Sequence, residues 1–452
     1  MNRADGKRAP GVSRLEFFRL MPRFRRDTLG TFAELRRRYG DVVRLKGVWT
    51  AYQLTHPRDI EHVLQTNQRN YPKSKFYGEV KSSLGDGLLT SEGELWRRQR
   101  RLAQPAFHRQ RIEGFSKIMA GASREMLEAW RPFAERGEPI DVSAEMMRLT
   151  LRVVGAALFS VDLSGEMDTI ERSLAVAREH LIRRSRQVVK LPLGVPTRRN
   201  RNYLRAIRLA DEIIYRMIAE RRRRHERGED EADDLLTMLM RARDEETGEA
   251  MSDRQLRDEA VTIMVAGHET TALALAWAFY LLSLNAEAER KLRAELDGVL
   301  RGRAPTYEDI PRLRYATMVV SESMRLYPPA WVIARRAARD DVVGGYRVEA
   351  ESEIILPPYV THRHPEFWES PDEFDPERFT PERSEGRPRY AYFPFGGGPR
   401  QCIGNGFAMM EATLILAAVA QEYSLRLAPG HKVEPDPSVT LHARDGIRMT
   451  LH

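Results

Sequence analysis

Cys402 is the only cysteine of the 452-residue chain, and it lies in the segment FGGGPRQCIG, residues 395–404, directly before an apolar helix predicted over 405–423. The glycines allow the backbone to approach a ligand closely, because they carry no Cβ atom. A thiol at a helix N-terminus and beside Arg400 has positive charge nearby, which favours the thiolate. A thiolate can ligate a metal ion or attack an electrophile, whereas a cysteine buried in a turn is inert. A single thiol excludes internal disulfides and metal sites that need several cysteines.

A second candidate site lies on the helix predicted over 253–284, where Gly267, Glu269 and Thr270 interrupt an apolar surface. A glycine within a helix costs about 1 kcal/mol relative to alanine, and a buried acid and alcohol cost more unless they are hydrogen-bonded. These residues therefore indicate a function, although hydroxyl groups that bond back to the helix backbone are an alternative. The zinc-protease motif H-E-x-x-H is excluded, because Ala272 stands where the second histidine would be.

The elements that must position these residues are predicted to be mainly helical, because apolar residues recur with a spacing of about 3.6. Ser252 and Gln255 form a predicted capping box before the helix over 253–284. Short strands are predicted for DVVRLKG, for VWTAYQLTHP and around a Gly-Gly turn after Pro328. With no internal repeat or flexible linker, we expect one large domain, mainly α with a minor β part. The predicted helices cover 31–40, 94–108, 115–136, 143–160, 165–190, 202–226, 233–243, 253–284, 285–301, 313–326 and 405–423.

The composition is typical of soluble globular proteins, with 42% hydrophobic and 31% charged residues, and excludes disordered and collagen-like classes. The formal net charge of +8 permits an acidic partner protein. The basic run Arg221–Arg224 precedes an acidic block and is interpreted as a solvated segment, so no nucleic-acid partner is predicted. The N-terminus lacks a signal-peptide core, and the apolar stretch Ala272–Leu284 is too short to span a membrane. We therefore expect a cytoplasmic protein without a transmembrane segment.

The cysteine segment resembles the haem-binding signature F-x-x-G-x-R-x-C-x-G of the cytochrome P450 family, at Phe395, Gly398, Arg400, Cys402 and Gly404. The resemblance implies the cytochrome P450 fold as a single large domain over 31–452, preceded by an N-terminal extension over 1–30. It implies a haem b cofactor whose iron takes the Cys402 thiolate as its axial ligand. Arg400 is expected to pair with a haem propionate, Phe395 to pack beside the sulfur, and Gly404 to belong to the same cofactor-binding loop.

The helix over 253–284 resembles the oxygen-binding motif of the same family at Ala266, Gly267, Glu269, Thr270 and Thr271. In the family, the glycine opens a space for dioxygen above the haem, the threonine hydroxyl bonds the oxygen, and the acid helps to deliver protons. The resemblance therefore implies that Ala266, Gly267, Glu269 and Thr270 are catalytic.

Further family motifs concern the scaffold and the haem propionates. An E-x-x-R pair is common on helix surfaces, where it adds a few tenths of a kcal/mol, roughly. Together with the arginine of the PERF sequence, it resembles a buried network of the family that supports the cysteine loop. A W-x-x-x-R pattern and one further arginine resemble propionate-binding positions. The residues concerned are Glu322, Arg325 and Arg378 for the network, and Trp96, Arg100 and Arg335 for the propionates.

The resemblance implies a haem-thiolate monooxygenase that inserts one oxygen atom of O2 into an unactivated C–H or C=C bond. The segments expected to line the substrate pocket are nearly all apolar, which favours a fatty acid, terpenoid, steroid or polyketide as substrate. The expected pocket residues are Phe76, Leu88, Val265, Ala330, Val332 and Leu441.

No flavin or ferredoxin module is recognised in the sequence, so electrons from NAD(P)H are expected through a separate ferredoxin or flavodoxin with its reductase. Basic residues near the cysteine loop are expected to steer this acidic partner. We expect a monomer. Two alternatives remain at this point, a peroxide-dependent or rearranging haem-thiolate enzyme and a non-catalytic haem-binding protein. Glu269 with Thr270 argues against the first, because such enzymes often lack this pair.

Overall fold

The computed structural model describes residues 6–161, 165–185, 187, 191–229, 234–243 and 248–452. Helices form most of this part of the chain and the strands are short, so the mainly α class with a minor β part is confirmed. The helices are α1 (Arg14–Arg26), α2 (Thr28–Tyr39), α3 (Pro57–Glu61), α4 (Phe76–Leu84), α5 (Gly93–Ala103), α6 (Arg109–Gly114), α7 (Ser116–Arg136), α8 (Val142–Phe159), α9 (Met167–Ser185), α10 (Arg198–Glu226), α11 (Leu235–Arg241), α12 (Asp253–Ser283), α13 (Ala286–Leu300), α14 (Arg314–Leu326), α15 (Pro358–Thr361), α16 (Pro381–Ser384) and α17 (Asn405–Glu422).

The strands of the described residues are β1 (Lys7–Arg8), β2 (Gly11–Val12), β3 (Val42–Lys46), β4 (Thr50–Leu54), β5 (Ile140–Asp141), β6 (Ile333–Arg336), β7 (Asp341–Val343), β8 (Tyr346–Val348), β9 (Glu353–Leu356), β10 (Leu425–Leu427), β11 (Pro435–Pro437), β12 (Leu441–Ala443) and β13 (Arg448–Leu451). The largest sheet has the order β2-β3-β4-β9-β6. In it, β3 and β4 form an antiparallel hairpin, β4 pairs in parallel with β9, and β6 lies antiparallel to β9 at the edge. This edge strand carries Arg335.

The long helix α12 runs through the core, in contact with α8, α10, α14 and α17. A helix that is apolar on nearly all sides must be buried, and most of α12 is. Its predicted capping box is confirmed, because Ser252 accepts from the Gln255 N–H and Gln255 accepts from the Ser252 N–H at 2.9 Å. Among the described helices, none alone is long and apolar enough to cross a membrane, although α12 and α13, bent by 112°, meet that requirement as a pair.

The N-terminal residues that were expected as an extension over 1–30 include two short strands that pair with later strands. Strand β1 pairs in parallel with β8, and β2 pairs in parallel with β3. Helix α1 begins at a capping box formed by Ser13 and Glu16 and packs Phe17 and Phe24 against a core cluster. Two-residue strands are too short for an alternating pattern to reveal them in the sequence. These pairings and contacts attach residues 7–26 to the sheets and to the core cluster.

Some helix ends also differ from the predicted ones. Helix α5 ends at Ala103 rather than 108, because Pro105 cannot continue the α-helical bonding and a 3-10 turn follows. Helix α10 begins at Arg198 rather than 202, since the Thr197 hydroxyl accepts a hydrogen bond from the Asn200 N–H at 3.1 Å. Of the helix predicted over 165–190, residues 186 and 188–190 lie outside the described residues. Residue 233, the first of the helix predicted over 233–243, also lies outside them.

Candidate active site

The segment around Cys402 forms a loop directly before α17. The Cys402 N–H donates to the Phe395 carbonyl at 2.9 Å, which closes the loop on itself. Gly398 has a φ of +63°, and a Cβ atom there would come 1.9 Å from the Leu64 carbonyl oxygen, so only glycine fits. Gly404 directly precedes α17. The loop thus presents Cys402 in one defined conformation.

Cys402 opens onto a cavity of about 770 Å³ that it shares with the arginine-rich side of α5. Apart from this opening the thiol is enclosed by protein, and this burial raises the pKa of Cys402 above its usual value. The Gly404 N–H and the charge of Arg100 lower the pKa only in part. In the polypeptide alone, burial therefore outweighs the effects of the Gly404 N–H and Arg100, which favour the thiolate. A metal cation bound to sulfur would favour the deprotonated form, because coordination removes the thiol proton.

Arg400 lies beside this loop with part of its guanidinium group unsatisfied. It forms an ion pair with Glu92, and its Cζ atom lies 4.6 Å from the centre of the Trp96 ring. Its Nε and Nη1 atoms are buried without a hydrogen-bond partner among the described residues. Buried donors without partners are rare in folded proteins, so an acceptor from a bound group is expected here.

Three more cations lie near Arg400. Arg100 donates from Nη1 to the Gln401 carbonyl at 2.9 Å, and burial lowers the pKa of this arginine. Arg335 is only 7% exposed, and burial together with the charge of Arg400 lowers its pKa despite opposing contacts. Lys73 donates to two backbone carbonyls, and burial and the charge of Arg400 lower its pKa to about 7. Such a concentration of buried positive charge needs an anionic group, and the carboxylates of a haem fit it.

On α12, Ala266 is exposed although it lies in the middle of the helix. The Thr270 hydroxyl donates to the Ala266 carbonyl at 2.8 Å, and the Thr271 hydroxyl to the Gly267 carbonyl at 3.2 Å. Both hydroxyl groups therefore bond back to the helix, as the alternative considered above describes. The bond leaves the Thr270 oxygen with lone pairs that can still accept a hydrogen bond.

Gly267 lies where α12 packs against α8. A Cβ atom at this position would come 3.2 Å from a methyl group of Val154 on α8. The two helices are further joined where the Thr150 hydroxyl donates to the His268 carbonyl at 3.0 Å. The missing side chain thus lets α8 approach α12 closely, and the exposed position on the helix is Ala266.

Glu269 is bound by residues from distant parts of the chain. His442 Nε2 lies 2.8 Å from its Oε1, the Thr440 hydroxyl donates to the same oxygen, and Arg178 Nη1 lies 3.8 Å away. Burial opposes ionisation of Glu269, but the hydrogen bond and charge of His442 and the bond from Thr440 outweigh it and lower the pKa to about 2. Glu269 is therefore held as a carboxylate, hydrogen-bonded to His442 and Thr440. Sequence analysis did not find His442, because nothing in the local sequence relates it to α12.

The structure brings Glu322, Arg325 and Arg378 together, and the first two have no exposed surface. Arg325 donates to both carboxylate oxygens of Glu322, at 2.6 and 2.7 Å. It also donates to three backbone carbonyls that precede the PERF sequence. Arg378 Nε lies 3.4 Å from Glu322, and its other nitrogens donate to backbone carbonyls. This network ties α14 to the segment that leads into the cysteine loop.

The six expected pocket residues do not share one environment. Phe76 and Val265 are partly buried and pack on a small cluster of Val80, Leu84, Leu181 and Val261, contributed by α4, α9 and α12. Leu88, Ala330 and Val332 are also partly buried. Leu441 has no exposed surface and packs in a core cluster with Trp331 and Phe32, so it does not line a pocket. It was expected in the pocket from the family resemblance of its segment.

Glu259 is a residue of the same helix that sequence analysis missed. It lies three turns before Thr270, is fully buried, and accepts from the Leu88 N–H at 3.0 Å through one oxygen. The other oxygen has no hydrogen-bond partner among the described residues. Burial raises the pKa of Glu259 to about 7, against the opposing effect of the Leu88 bond. Its neighbour Asp258 accepts from the Asp86 N–H at 2.8 Å. Both carboxyl groups thus hold residues 86–88 against α12.

We expect Glu259→Gln to flatten the pH dependence of stability. A folded-state pKa of about 7 against 4.5 means that the folded protein holds its proton more tightly, so wild-type stability falls as pH rises from 4.5 to 7. The loss amounts to about 3 kcal/mol, since one pKa unit is about 1.4 kcal/mol. Urea unfolding at several pH values measures it. Glu94→Gln, at a position 85% exposed, serves as the control. Equal slopes in wild type and Glu259→Gln would contradict the prediction.

Comparisons with known proteins agree with this geometry. The sequence model of the family described as Cytochrome P450 matches residues 9–446. A crystal structure of the cytochrome P450DA heme domain superposes with a TM-score of 0.86 at 27% identity, covering 100% of this chain and 98% of that chain. The fold expected from the motifs is therefore confirmed.

Two bacterial relatives are similar along most of their length. Cyclooctatin synthase of Streptomyces melanosporofaciens is 42% identical over 410 residues, which cover 90% of this chain and 87% of the relative. Cyclooctat-9-en-7-ol 5-monooxygenase of the same organism is 37% identical over 394 residues, which cover 87% and 84%. With the family match over nearly the whole chain, these similarities establish that this chain belongs to the cytochrome P450 family and is a monooxygenase.

Proposed function

We propose that this enzyme inserts one oxygen atom of O2 into an apolar terpenoid-type substrate, with electrons from a separate redox partner. The observation that carries the proposal is the sole thiol of the chain, held on a rigid loop beside four buried or half-buried cations. This arrangement suits a planar cofactor that carries both a metal and carboxylates.

Cys402 would bind the iron of haem b, and Arg400, Arg100 and Arg335 would bind its propionates. Trp96 stacks under Arg400 and fixes the guanidinium plane. When bound, the haem supplies the activation of dioxygen. Phe395 and Gly404 would keep the loop backbone in place around the sulfur.

The residues of α12 would deliver protons and would leave space for dioxygen or substrate. The Thr270 hydroxyl can turn from the Ala266 carbonyl to a nearby oxygen atom, because its hydroxyl rotates freely. The ionised Glu269 would hold His442 by its hydrogen bond, and the pair would form part of the path by which a proton reaches Thr270. Ala266, which has a small exposed side chain, leaves room for dioxygen or substrate.

The terpenoid class is proposed from two observations. The names of the two relatives refer to cyclooctatin and to an unsaturated alcohol of the same skeleton. Phe76 and Val265 of this protein pack on an apolar cluster contributed by α4, α9 and α12. A largely hydrocarbon substrate matches such a surface, because it leaves few polar groups unpaired.

Substitution of Thr270 tests the proposed chemistry. With a substrate identified by its spectral shift, we expect Thr270→Ala to reduce product formed per NAD(P)H by roughly tenfold or more, because one proton-directing hydroxyl is lost. Oxygen consumption should continue and release peroxide. Thr270→Ser keeps the hydroxyl and should remain near wild type, and the binding shift should be unchanged in both variants. Unchanged coupling in Thr270→Ala would favour a peroxide-dependent or rearranging reaction.

We infer that the electron donor is an acidic ferredoxin or flavodoxin, which receives electrons from NAD(P)H through its reductase. The cavity that exposes Cys402 is lined by Arg97, Arg100 and Arg101 of α5. Electrostatic steering between such a basic surface and an acidic protein is screened by salt. We expect the rate of reduction by the donor to fall as ionic strength rises. A rate that is independent of salt for every donor tested would overturn this inference.

A further inference from the structure

Four of the most exposed apolar side chains of the described residues lie in two neighbouring N-terminal segments. Leu15 and Phe18 of α1 are 62% and 50% exposed, and Val48 and Trp49 of the β3–β4 turn are 65% and 63% exposed. Large apolar side chains that are grouped on a surface indicate an interaction site, whereas single ones are ordinary. We call these four residues the N-terminal patch.

Helix α1 has two apolar faces rather than one. Phe17, Leu20 and Phe24, spaced by three and four residues, pack against the core. Leu15 and Phe18 recur with Pro22 at the same spacing on the side turned to solvent. A helix that packs on a soluble domain needs only the inner face to be apolar. The outer apolar stripe is exposed to solvent rather than packed against the core.

The β3–β4 turn lies directly against α1. A Cβ atom on Gly47 would come 2.6 Å from the Phe17 ring, so the helix rests on the backbone of this turn. The Gly47 N–H donates to the Trp49 carbonyl at 3.0 Å, which shapes the turn. The β3–β4 turn, which carries the exposed Val48 and Trp49, is therefore in direct contact with α1, which carries the exposed Leu15 and Phe18.

Positive charge surrounds this patch. Arg14, Arg19, Arg25 and Arg26 are exposed on the outer side of α1, and Lys46 is exposed beside the turn. Glu16, the acidic residue of the helix, is engaged in the capping box with Ser13. Among the described residues, α1 forms an ion pair with another helix through Arg23 and Glu34. The four exposed arginines named above take no part in this ion pair. The surface is thus apolar at its centre and cationic at its edges.

We propose that the N-terminal patch binds reversibly to an anionic lipid surface. An amphipathic helix with apolar side chains on the outer face and arginines at its edges fits the boundary between headgroups and acyl chains. Tryptophan is favoured at that boundary, and each basic residue near an anionic surface adds attraction. The charge complementarity favours lipid over a second copy of this chain, because two such patches would repel each other. The inference does not depend on the substrate proposed above.

Vesicle sedimentation of the intact holoenzyme tests the proposal. We expect binding to vesicles of phosphatidylcholine with about one-third phosphatidylglycerol, little binding to phosphatidylcholine alone, and release by added salt. The triple variant Leu15→Ser, Phe18→Ser and Trp49→Ser should lower the partition coefficient by at least about tenfold. Brominated acyl chains should quench part of the tryptophan fluorescence in wild type and less in Trp49→Phe.

A matched control changes exposed apolar residues elsewhere. The double variant Phe133→Ser and Leu284→Ser alters side chains that are 37% and 56% exposed, in α7 and directly after α12, and should bind vesicles as wild type does. The reduced, carbon monoxide-treated spectrum verifies that each variant is folded around its haem, so a failure of the proposed enzyme function is recognised separately. Equal binding of the triple variant and wild type, or equal binding to both kinds of vesicle, would overturn the proposal. Self-association that the triple variant abolishes, without vesicle binding, would assign the patch to a second copy instead.

Discussion

Replacing Cys402 with alanine is expected to abolish the strongly red-shifted Soret band of the reduced, carbon monoxide-treated protein and to lower product formation by more than about 100-fold. Alanine has no donor atom, and the chain has no second cysteine that could supply a thiolate. Folding of the polypeptide should change little, because the thiol opens onto a cavity rather than filling the core. Absorption spectroscopy together with the haem content of the purified protein measures the effect.

A nearby substitution provides the control for Cys402→Ala. His108 lines the same cavity and is exposed, so His108→Ala should keep the red-shifted band. Cys402→Ala protein that retains this band would contradict the assignment of the thiolate ligand. A band at the position of histidine-ligated haem in the wild type would contradict it as well, and the functional argument from the cysteine loop would then fail.

Arg325→Ala is expected to destabilise the protein by about 3–5 kcal/mol, because it leaves the Glu322 carboxylate buried without its partner. The substitution also removes the donors of three backbone carbonyls, those of His362, Pro371 and Glu373. Arg325→Lys should recover only part of the loss, since an ammonium group cannot form both bonds to Glu322 and reach the carbonyls. Urea unfolding of the haem-free and haem-loaded protein measures the change in the free energy of unfolding.

The chain contains a matched control for this prediction. Glu287 and Arg290 form an ion pair with the same spacing of three residues, but their side chains are 63% and 68% exposed. Arg290→Ala should therefore change the free energy of unfolding far less than Arg325→Ala does. A similar loss in Arg325→Ala and Arg290→Ala would show that burial of the network contributes nothing to stability.

These two ion pairs also show why the sequence predicts some features and not others. Both are a glutamate and an arginine three residues apart on a helix, and helical geometry brings each pair together whatever the rest of the chain does. Only the folded structure shows that one pair has no exposed surface and the other is solvated. The resemblance to a known family singled out Glu322 and Arg325, and periodicity alone would not have done so.

The cysteine loop and α12 were predictable because their functional residues are close in sequence. The spacing within residues 395–404 defines the loop, and a helical repeat places Ala266 and Thr270 one turn apart. The capping box of α12 was predicted for the same reason and is present. Gly267 was assigned to the expected helix, but its contact with Val154 depends on how α8 packs.

The sequence by itself therefore determined the mainly α class, the family, the sole thiol and the order of the main helices, because these depend on local spacing and composition. Tertiary structure alone decided which groups meet at the site. His442 reaches Glu269 across 173 positions, and Glu92 reaches Arg400 across 308. It also buried Lys73 and Glu259, which changes their pKa values, and left Leu441 inside the core. Burial and long-range contacts result from the packing of distant elements, and no local pattern records them.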